Sequence, residues 1–398
     1  MTIDRADVLV LGAGIAGCAL AYHLAVRRVG RVVVVDPRTT AAGATGRAAG
    51  IVTEQLWNRF DVEVTRDSKA EYASLAARHD PSAYSVNGFA RWTREETAVE
   101  PVRRAVHRLR QWGVRVSEVD AEALERHVPW GRFDGVRAAI LGADDAVVTP
   151  STMAEIYAES ARGSGVDFWL GVPFDPPVRD GGAWTLRVSG RSVRSPRCVL
   201  AAGAWSKRLS HALGRPLPLV PYRTQAAVLK PSAPAPLFPS VHDIDRDVYV
   251  RPESNGRILA GDGTQLVEVD PERFNSGGDP EFVEHLAQTF EERLPGWADA
   301  ELVRAWAGVC VSTPDRRPLV GAVPGATGLY AMTGFNGFGV MRAGGVARRL
   351  AALLSVGDGP SSEREALEAV DPGRFPIPYP EFRPRPGFTL EAGDDPRF

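Results

Sequence analysis

Three glycines and one carboxylate are the first groups in this chain whose spacing could do chemistry. Gly12, Gly14 and Gly17 stand in the run Gly12-Ala13-Gly14-Ile15-Ala16-Gly17, and Asp36 follows 19 positions after the third glycine. The run lies between an apolar strand, Asp7-Val8-Leu9-Val10-Leu11, and a helix that continues Cys18-Ala19-Leu20-Ala21-Tyr22-His23-Leu24. A second apolar strand, Val32-Val33-Val34-Val35, delivers Asp36. In this order Gly12 permits a tight turn, Gly14 lets a pyrophosphate approach the backbone, and Gly17 lets the helix pack on the strand. The helix N-terminus then faces the phosphates, and Asp36 can accept hydrogen bonds from a ribose diol. The spacing predicts a dinucleotide site.

Other chemistries find little support. Cys18, Cys198 and Cys310 are too widely spaced for a metal or disulfide pattern, and seven scattered histidines form no Ser-His-Asp set or metal cluster. No metal is expected. Cys18 and Cys198 read as core residues and suit a reducing cytoplasm. The net charge of −2 argues against nucleic acid or an acidic membrane surface as the main partner. With 44% apolar and 24% charged residues in 398, the composition is that of a soluble enzyme with a large core. No run is long and apolar enough for a membrane span, and the N-terminal apolar stretch lacks the basic start of a signal peptide.

The elements that must position these groups follow along the chain. A Gly/Ala/Thr-rich loop runs from Thr39 to Gly50, and mostly helical periodicity from about 62 to 128. Within it Val102, Val106 and Leu109 share one side, with arginines elsewhere as a solvated face. Thr149-Pro150-Ser151 can cap a helix over about 152–162. Strands are expected at 184–188, 190–193 and 198–202, the last running into Gly203-Ala204-Trp205-Ser206. A mainly β stretch covers 222–261, interrupted by a proline-rich loop at 231–239. Helical patterning returns over 281–294, strands at 319–321 and 329–334, and a final helix over about 339–354. The tail from Asp371, rich in Pro and aromatics, is expected to lie extended.

Four further segments choose among dinucleotides. Ala44-Thr45-Gly46-Arg47-Ala48-Ala49-Gly50-Ile51-Val52 resembles the loop over the flavin ring in sarcosine- and dimethylglycine-oxidizing enzymes. Val199-Leu200-Ala201-Ala202-Gly203-Ala204-Trp205-Ser206 resembles a second FAD-contacting strand and turn. Tyr249-Val250-Arg251-Pro252, with Gly256-Arg257-Ile258-Leu259-Ala260-Gly261, resembles a substrate-sheet motif. Thr313-Pro314-Asp315-Arg316-Arg317-Pro318-Leu319-Val320-Gly321, with Met332-Thr333-Gly334-Phe335-Asn336-Gly337-Phe338-Gly339-Val340, resembles a C-terminal flavin-binding signature. Over roughly residues 6 to 355 the chain resembles the D-amino acid oxidase superfamily, nearest its glycine oxidase and sarcosine oxidase branch.

That resemblance implies a Rossmann-type FAD-binding domain, α/β, combined with an α+β substrate domain built on a mainly antiparallel sheet. The expected FAD-binding domain is discontinuous (1–85, 142–218 and 312–370), the substrate domain comprises 86–141 and 219–311, and 371–398 is the tail. FAD contacts are implied for Gly12, Gly14, Ile15, Ala16, Gly17, Asp36 and Arg38, and for Thr45 through Ile51. They are also implied for Val172, Ala202, Gly203, Trp205, Gly334, Asn336, Gly337, Phe338, Gly339, Val340 and Met341. The turn at 334–339 offers backbone N–H groups and a helix start, which suit the negative charge that reduced flavin carries near N1 and O2. Tyr249, Cys310, Phe338 and Met341 are expected to line the substrate space.

The chain departs from the family at its carboxylate anchors. Cys310 replaces the glycine oxidases' arginine, Met341 the sarcosine oxidases' lysine, and Thr53 the arginine of the flavin loop. None can make a bidentate contact. Either the substrate is an amine without a nearby carboxylate, the reading we favour, or Arg47, Arg223, Arg251 or Arg316 holds it. Cys310 is misplaced for covalent attachment and Arg47 stands where dimethylglycine dehydrogenases have a histidine, so noncovalent FAD is expected. The resemblance implies hydride transfer from a carbon bearing nitrogen to flavin N5, with O2 or another acceptor taking the electrons and the imine hydrolysing. A 2-hydroxy acid dehydrogenase and a noncatalytic FAD-binding or assembly protein remain the alternatives.

Overall fold

A computed structural model describes residues 3–253, 255–262, 267–355, 361–377, 379 and 381–383. Val8–Leu11 and Val32–Asp36 pair in parallel at the middle of a six-stranded sheet, with Asp167–Leu170 beyond the second. On the other side lie Cys198–Leu200 and Leu329–Thr333, both parallel, and then antiparallel Leu319–Ala322. Val8 to Leu11 and Val32 to Val35 are buried throughout, as strands covered on both faces require. The helices Ile15–Val26, Arg59–His79, Pro150–Gly163 and Gly339–Ser355 pack together over one face. Strand order reverses at Val8–Leu11, so the crevice opens at its carboxyl end, where Gly12 stands.

An eight-stranded sheet forms the second layer, in the order Glu301–Ser312, Val220–Lys230, Ile258–Asp262, Val248–Pro252, Ser240–Asp243, Phe89–Thr93, Ala138–Gly142 and Val116–Glu118. Only Ser240–Asp243 with Phe89–Thr93 is parallel. The fold is therefore the expected Rossmann-type unit joined to a mainly antiparallel sheet. Among the described residues no helix is long and apolar enough to cross a membrane.

Three local expectations are corrected. Strands Tyr84–Val86, Phe89–Thr93 and Val116–Glu118 interrupt the stretch read as helical. Phe89–Thr93 is buried at every position, Ala90 and Trp92 in one apolar cluster and Phe89 in another, so no alternation betrays it. The helix Pro150–Gly163 starts through proline at its first turn, and Thr149 makes no side-chain cap. The tail begins not extended but as a 3₁₀ turn, Pro372–Arg374, docked by Arg374 Nε and Nη2 on Asp315 at 2.8 and 3.0 Å. Residues from 384 onward lie outside the described residues.

Candidate active site

One cavity of about 570 Å³ joins the carboxyl end of the parallel sheet to the face of the antiparallel sheet. That volume is within the usual range of roughly 300–1,000 Å³ for small-molecule and cofactor sites.

Its first end is built from backbone. Gly12 has φ +114°, and a Cβ there would stand 2.5 Å from the Ala201 carbonyl oxygen. Gly17 does not line the cavity; its Cβ would come within 1.9 Å of the Gly12 carbonyl, so it serves helix–turn packing. Gly14, Ile15 and Ala16 do line it. The Ile15 N–H donates to Thr45 Oγ1 at 3.1 Å, while those of Gly14 and Ala16 have no acceptor among the described residues. The helix's first turn contains no acidic residue. Asp36 accepts from the N–H groups of Ala13 and Arg38, each at 2.8 Å, which orients its carboxylate at the cavity wall. A carboxylate offers more lone pairs than those two bonds use. Unpaired N–H groups, a glycine cradle and an oriented acid fit the pyrophosphate and ribose of FAD.

The loop and turns complete this end. Thr45, Arg47, Ala48, Ala49, Gly50 and Ile51 line the cavity, as do Arg38, Ala202, Gly203 and Trp205. Arg38 stacks on Trp205, 4.1 Å from the ring centroid. Gly46 and Val172 do not line it. A Cβ on Gly46 would meet the Ala41 carbonyl at 2.7 Å, and Val172 packs on an apolar cluster beside the lining residues Pro173 and Phe174.

The far end is built from side chains that four segments bring together. Strand register pairs Tyr222 with Cys310, Thr224 with Gly308, and Ala226 with Gly261, itself the partner of Tyr249. Paired residues share a face, and all of these except Gly261 line the cavity. Asn336, Gly337, Phe338, Gly339, Val340 and Met341 close it. Asn336, at φ +53°, anchors the turn: its Oδ1 accepts from Ser312 Oγ at 2.7 Å and Thr313 N at 3.1 Å, and its Nδ2 donates to the Gly334 carbonyl at 2.6 Å. Gly334 lies behind it, against Thr313, away from the lining. The Phe338 N–H donates within the turn to the Phe335 carbonyl at 2.9 Å and that of Asn336 to the Val311 carbonyl on the neighbouring strand at 3.0 Å, which leaves those of Gly337, Gly339 and Val340 without acceptors among the described residues. Phe338, Met341, Ile51, Trp57 and Phe89 form one apolar cluster with Tyr249 packed on it.

Tyr249, Cys310, Phe338 and Met341 thus converge on one cavity. Burial pushes the Cys310 thiol up to about 11, opposed by a hydrogen bond from Tyr222. Burial likewise lifts the phenols of Tyr249 and Tyr222 above their ordinary range. Both hydroxyls are therefore neutral donors at physiological pH.

Of the four candidate carboxylate-binding arginines, only Arg47 lines the cavity. Its Nη1 donates to the carbonyls of Ala42 and Gly43 at 2.7 and 3.2 Å. Arg223 is an internal clamp on Asp279 and on the Asn275 and Gly277 carbonyls. Arg251 ties Ala49 and Pro252 carbonyls to Glu253. Arg316 stacks 5.4 Å from the centroid of Trp57. Thr53 is buried away from the cavity, donating to Asp145 Oδ2 at 2.9 Å. Asp145 also accepts from Glu54 N and Gln55 Nε2 at 2.9 and 3.0 Å, so it fixes the loop that leads to Trp57.

Sequence reading missed Tyr222, Thr224 and Gly308. For Tyr222 and Thr224 the signal was the strand alternation 222, 224, 226, which names a face but not what it covers; Gly308, on the neighbouring strand, follows only from register. It also missed Arg342, which follows Met341 directly.

The fold, with its cavity between a parallel and an antiparallel sheet, is that of a dinucleotide-dependent oxidoreductase. The FAD dependent oxidoreductase description matches residues 7–353, and the chain belongs to that DAO family. It is 25% identical over 394 residues to the mitochondrial dimethylglycine dehydrogenase of Homo sapiens, an alignment covering 94% of this chain and 44% of that protein. The chain thus spans less than half the length of that relative. It is 28% identical over 358 residues to a glycine oxidase of Pseudomonas aeruginosa, covering 87% and 94% of the two chains. Among solved structures, the L-proline dehydrogenase of P. horikoshii superposes with a TM-score of 0.85 at 21% identity, covering 93% of this chain and 98% of that one.

Proposed function

We propose that this protein oxidises a C–N bond in a small amine or amino acid, giving an imine that hydrolyses. The observation that carries the reading is the single cavity that runs from the Gly12–Gly14 turn and Asp36 to Tyr249, Cys310, Phe338 and Met341. FAD, when bound, supplies the two-electron acceptor at N5. The chain's own residues orient and exclude. The N–H groups of Gly14 and Ala16 would hold the pyrophosphate and Asp36 a ribose. Those of Gly337, Gly339 and Val340 would meet developing negative charge. Phe338, Met341 and Ile51 keep water from the reacting carbon, and the Tyr249 hydroxyl donates to a polar atom of the substrate, while the Tyr222 hydroxyl is engaged with Cys310.

Three of the four candidate arginines lie outside the cavity lining, and Arg47 already has carbonyl partners, which supports an amine whose reacting carbon bears no carboxylate. The domain division 1–85, 142–218 and 312–370 for FAD, against 86–141 and 219–311 for substrate, belongs to the same reading, as do noncovalent FAD and a reducing cytoplasmic location. Acid precipitation should leave the yellow colour in the supernatant; colour retained on the polypeptide would refute noncovalent binding. The deciding experiment is anaerobic mixing with a panel of amines, amino acids and 2-hydroxy acids. Bleaching by amines without a carboxylate is the expected result, and bleaching by hydroxy acids alone would sink the proposal.

A further inference from the structure

Arg342 is a fully buried charge beside the cavity. It is 0% exposed and occupies the first turn of the helix Gly339–Ser355, where a cation opposes the helix dipole and no acidic residue compensates. Its ion-pair partner is Asp61, also 0% exposed, with Nη1 2.9 Å from Oδ1. The alignment is poor. Among the described residues Nε, Nη1 and Nη2 of Arg342 all lack a hydrogen-bond acceptor, and Oδ1 of Asp61 lacks a donor. A buried guanidinium satisfied so badly costs stability, so stability does not explain it.

Its surroundings point to the cavity. The guanidinium carbon lies 5.1 Å from the ring centroid of Phe338 and 5.6 Å from that of Trp57. Phe338 lines the cavity and Arg342 does not. The field of Arg342 reaches Tyr222, where it opposes the rise that burial imposes on the phenol. Tyr222 in turn stands at the Gly337 turn, where a Cβ would be 3.2 Å from its hydroxyl. Asp61 stands at the start of the helix Arg59–His79, where Asn58 Nδ2 donates to its Oδ2 at 2.6 Å, and it does not line the cavity. The guanidinium end of the pair is the one that stacks beside the Phe338 ring and is felt at Tyr222.

We propose that Arg342 acts through its field, without contact, to make the Gly337–Gly339 edge of the cavity an anion-stabilising locus that raises the reduction potential of the FAD held there. The inference rests on the FAD placement proposed above. A unit charge several ångströms away, in a medium of effective dielectric about 20, acts on the kcal/mol scale. A roughly tenfold change in the oxidised–reduced equilibrium is therefore expected, about 30 mV for a two-electron couple.

The test is the potential of the bound flavin, measured by dye equilibration under anaerobic chemical reduction, with FAD content determined in parallel. Arg342→Gln should lower the potential by about that amount, Arg342→Lys should leave it near the parent value, and Asp61→Asn should raise it. Loss of a merely structural pair has no reason to move the two sides in opposite directions. Potentials that shift the same way in both variants, or do not shift, overturn the assignment. Should Arg342→Gln fail to fold, Asp61→Asn decides alone, a raised potential supporting the proposal and an unchanged or lowered one overturning it. A protein that takes up no FAD overturns the placement and the inference together. Failure of every amine to bleach the flavin strikes only the proposed reaction, because the potential is read without substrate.

Discussion

The two ends of the cavity are made in different ways. The Gly12–Asp36 end uses main-chain N–H groups and the absence of Cβ atoms, within one strand–turn–helix–strand unit. The Tyr249 end uses side chains projected from four separated segments onto one face. A backbone-built site tolerates few substitutions because it depends on space that any side chain would fill. A side-chain-built site can change its ligand without disturbing the fold. Cys310 and Met341, both in the cavity lining, belong to this second kind of site.

Substitution at each end should therefore fail in a different manner. Gly14→Val should give a folded but colourless protein, with FAD affinity down at least about a hundredfold, or about 2.8 kcal/mol. A Cβ there meets only Thr45 Oγ1 at 3.3 Å, so the apoprotein can adjust while the pyrophosphate cannot. Full flavin absorbance per chain in that variant would break the distinction.

Asp36→Ala should weaken FAD roughly tenfold, since hydrogen bonds to a charged group contribute about 1.5–3 kcal/mol. Part of the loss comes through the Ala13 and Arg38 N–H groups that the carboxylate now holds. Titration of the apoprotein with FAD measures it, and an unchanged affinity would remove Asp36 from the site.

At the other end, Tyr249→Phe should retain full FAD content and slow flavin reduction roughly tenfold, the scale of one lost hydrogen bond in the reacting complex. Stopped-flow absorbance checks this. Loss of flavin in place of rate would mean that Tyr249 belongs to cofactor binding.

The smallest effect concerns the loop between the ends. Burial pushes the Asp145 carboxyl up to about 6 despite its three donors. The folded state then holds the proton more tightly than the unfolded state. Stability from this group is complete below the ordinary carboxylate range and is lost as pH rises through about 6. The slope is at most about 1.4 kcal/mol per pH unit. Asp145→Asn should flatten the dependence of Tm on pH between 4 and 6, measured calorimetrically; an unaltered slope would show that Asp145 ionises normally.

Legibility in the sequence followed the same division. The glycine run, Asp36 and the final helix could be read directly because each signal is local. Phe89–Thr93 could not, since a strand buried on both faces carries no alternation. Arg223 and Arg251 stood near the expected substrate sheet, but charge and position along the chain did not reveal that Asp279, Glu253 and backbone carbonyls engage them.

By itself the sequence determined the dinucleotide turn and the family. These are statements about residue type at short or motif-defined spacing. Only the tertiary structure decided that Tyr222 and Thr224 join Tyr249 and Cys310 on one face, because strand register across the sheet sets which distant residues become neighbours. It alone also placed Arg342 behind Phe338 and against Asp61, a pairing of residues 281 positions apart that packing creates and local sequence does not encode.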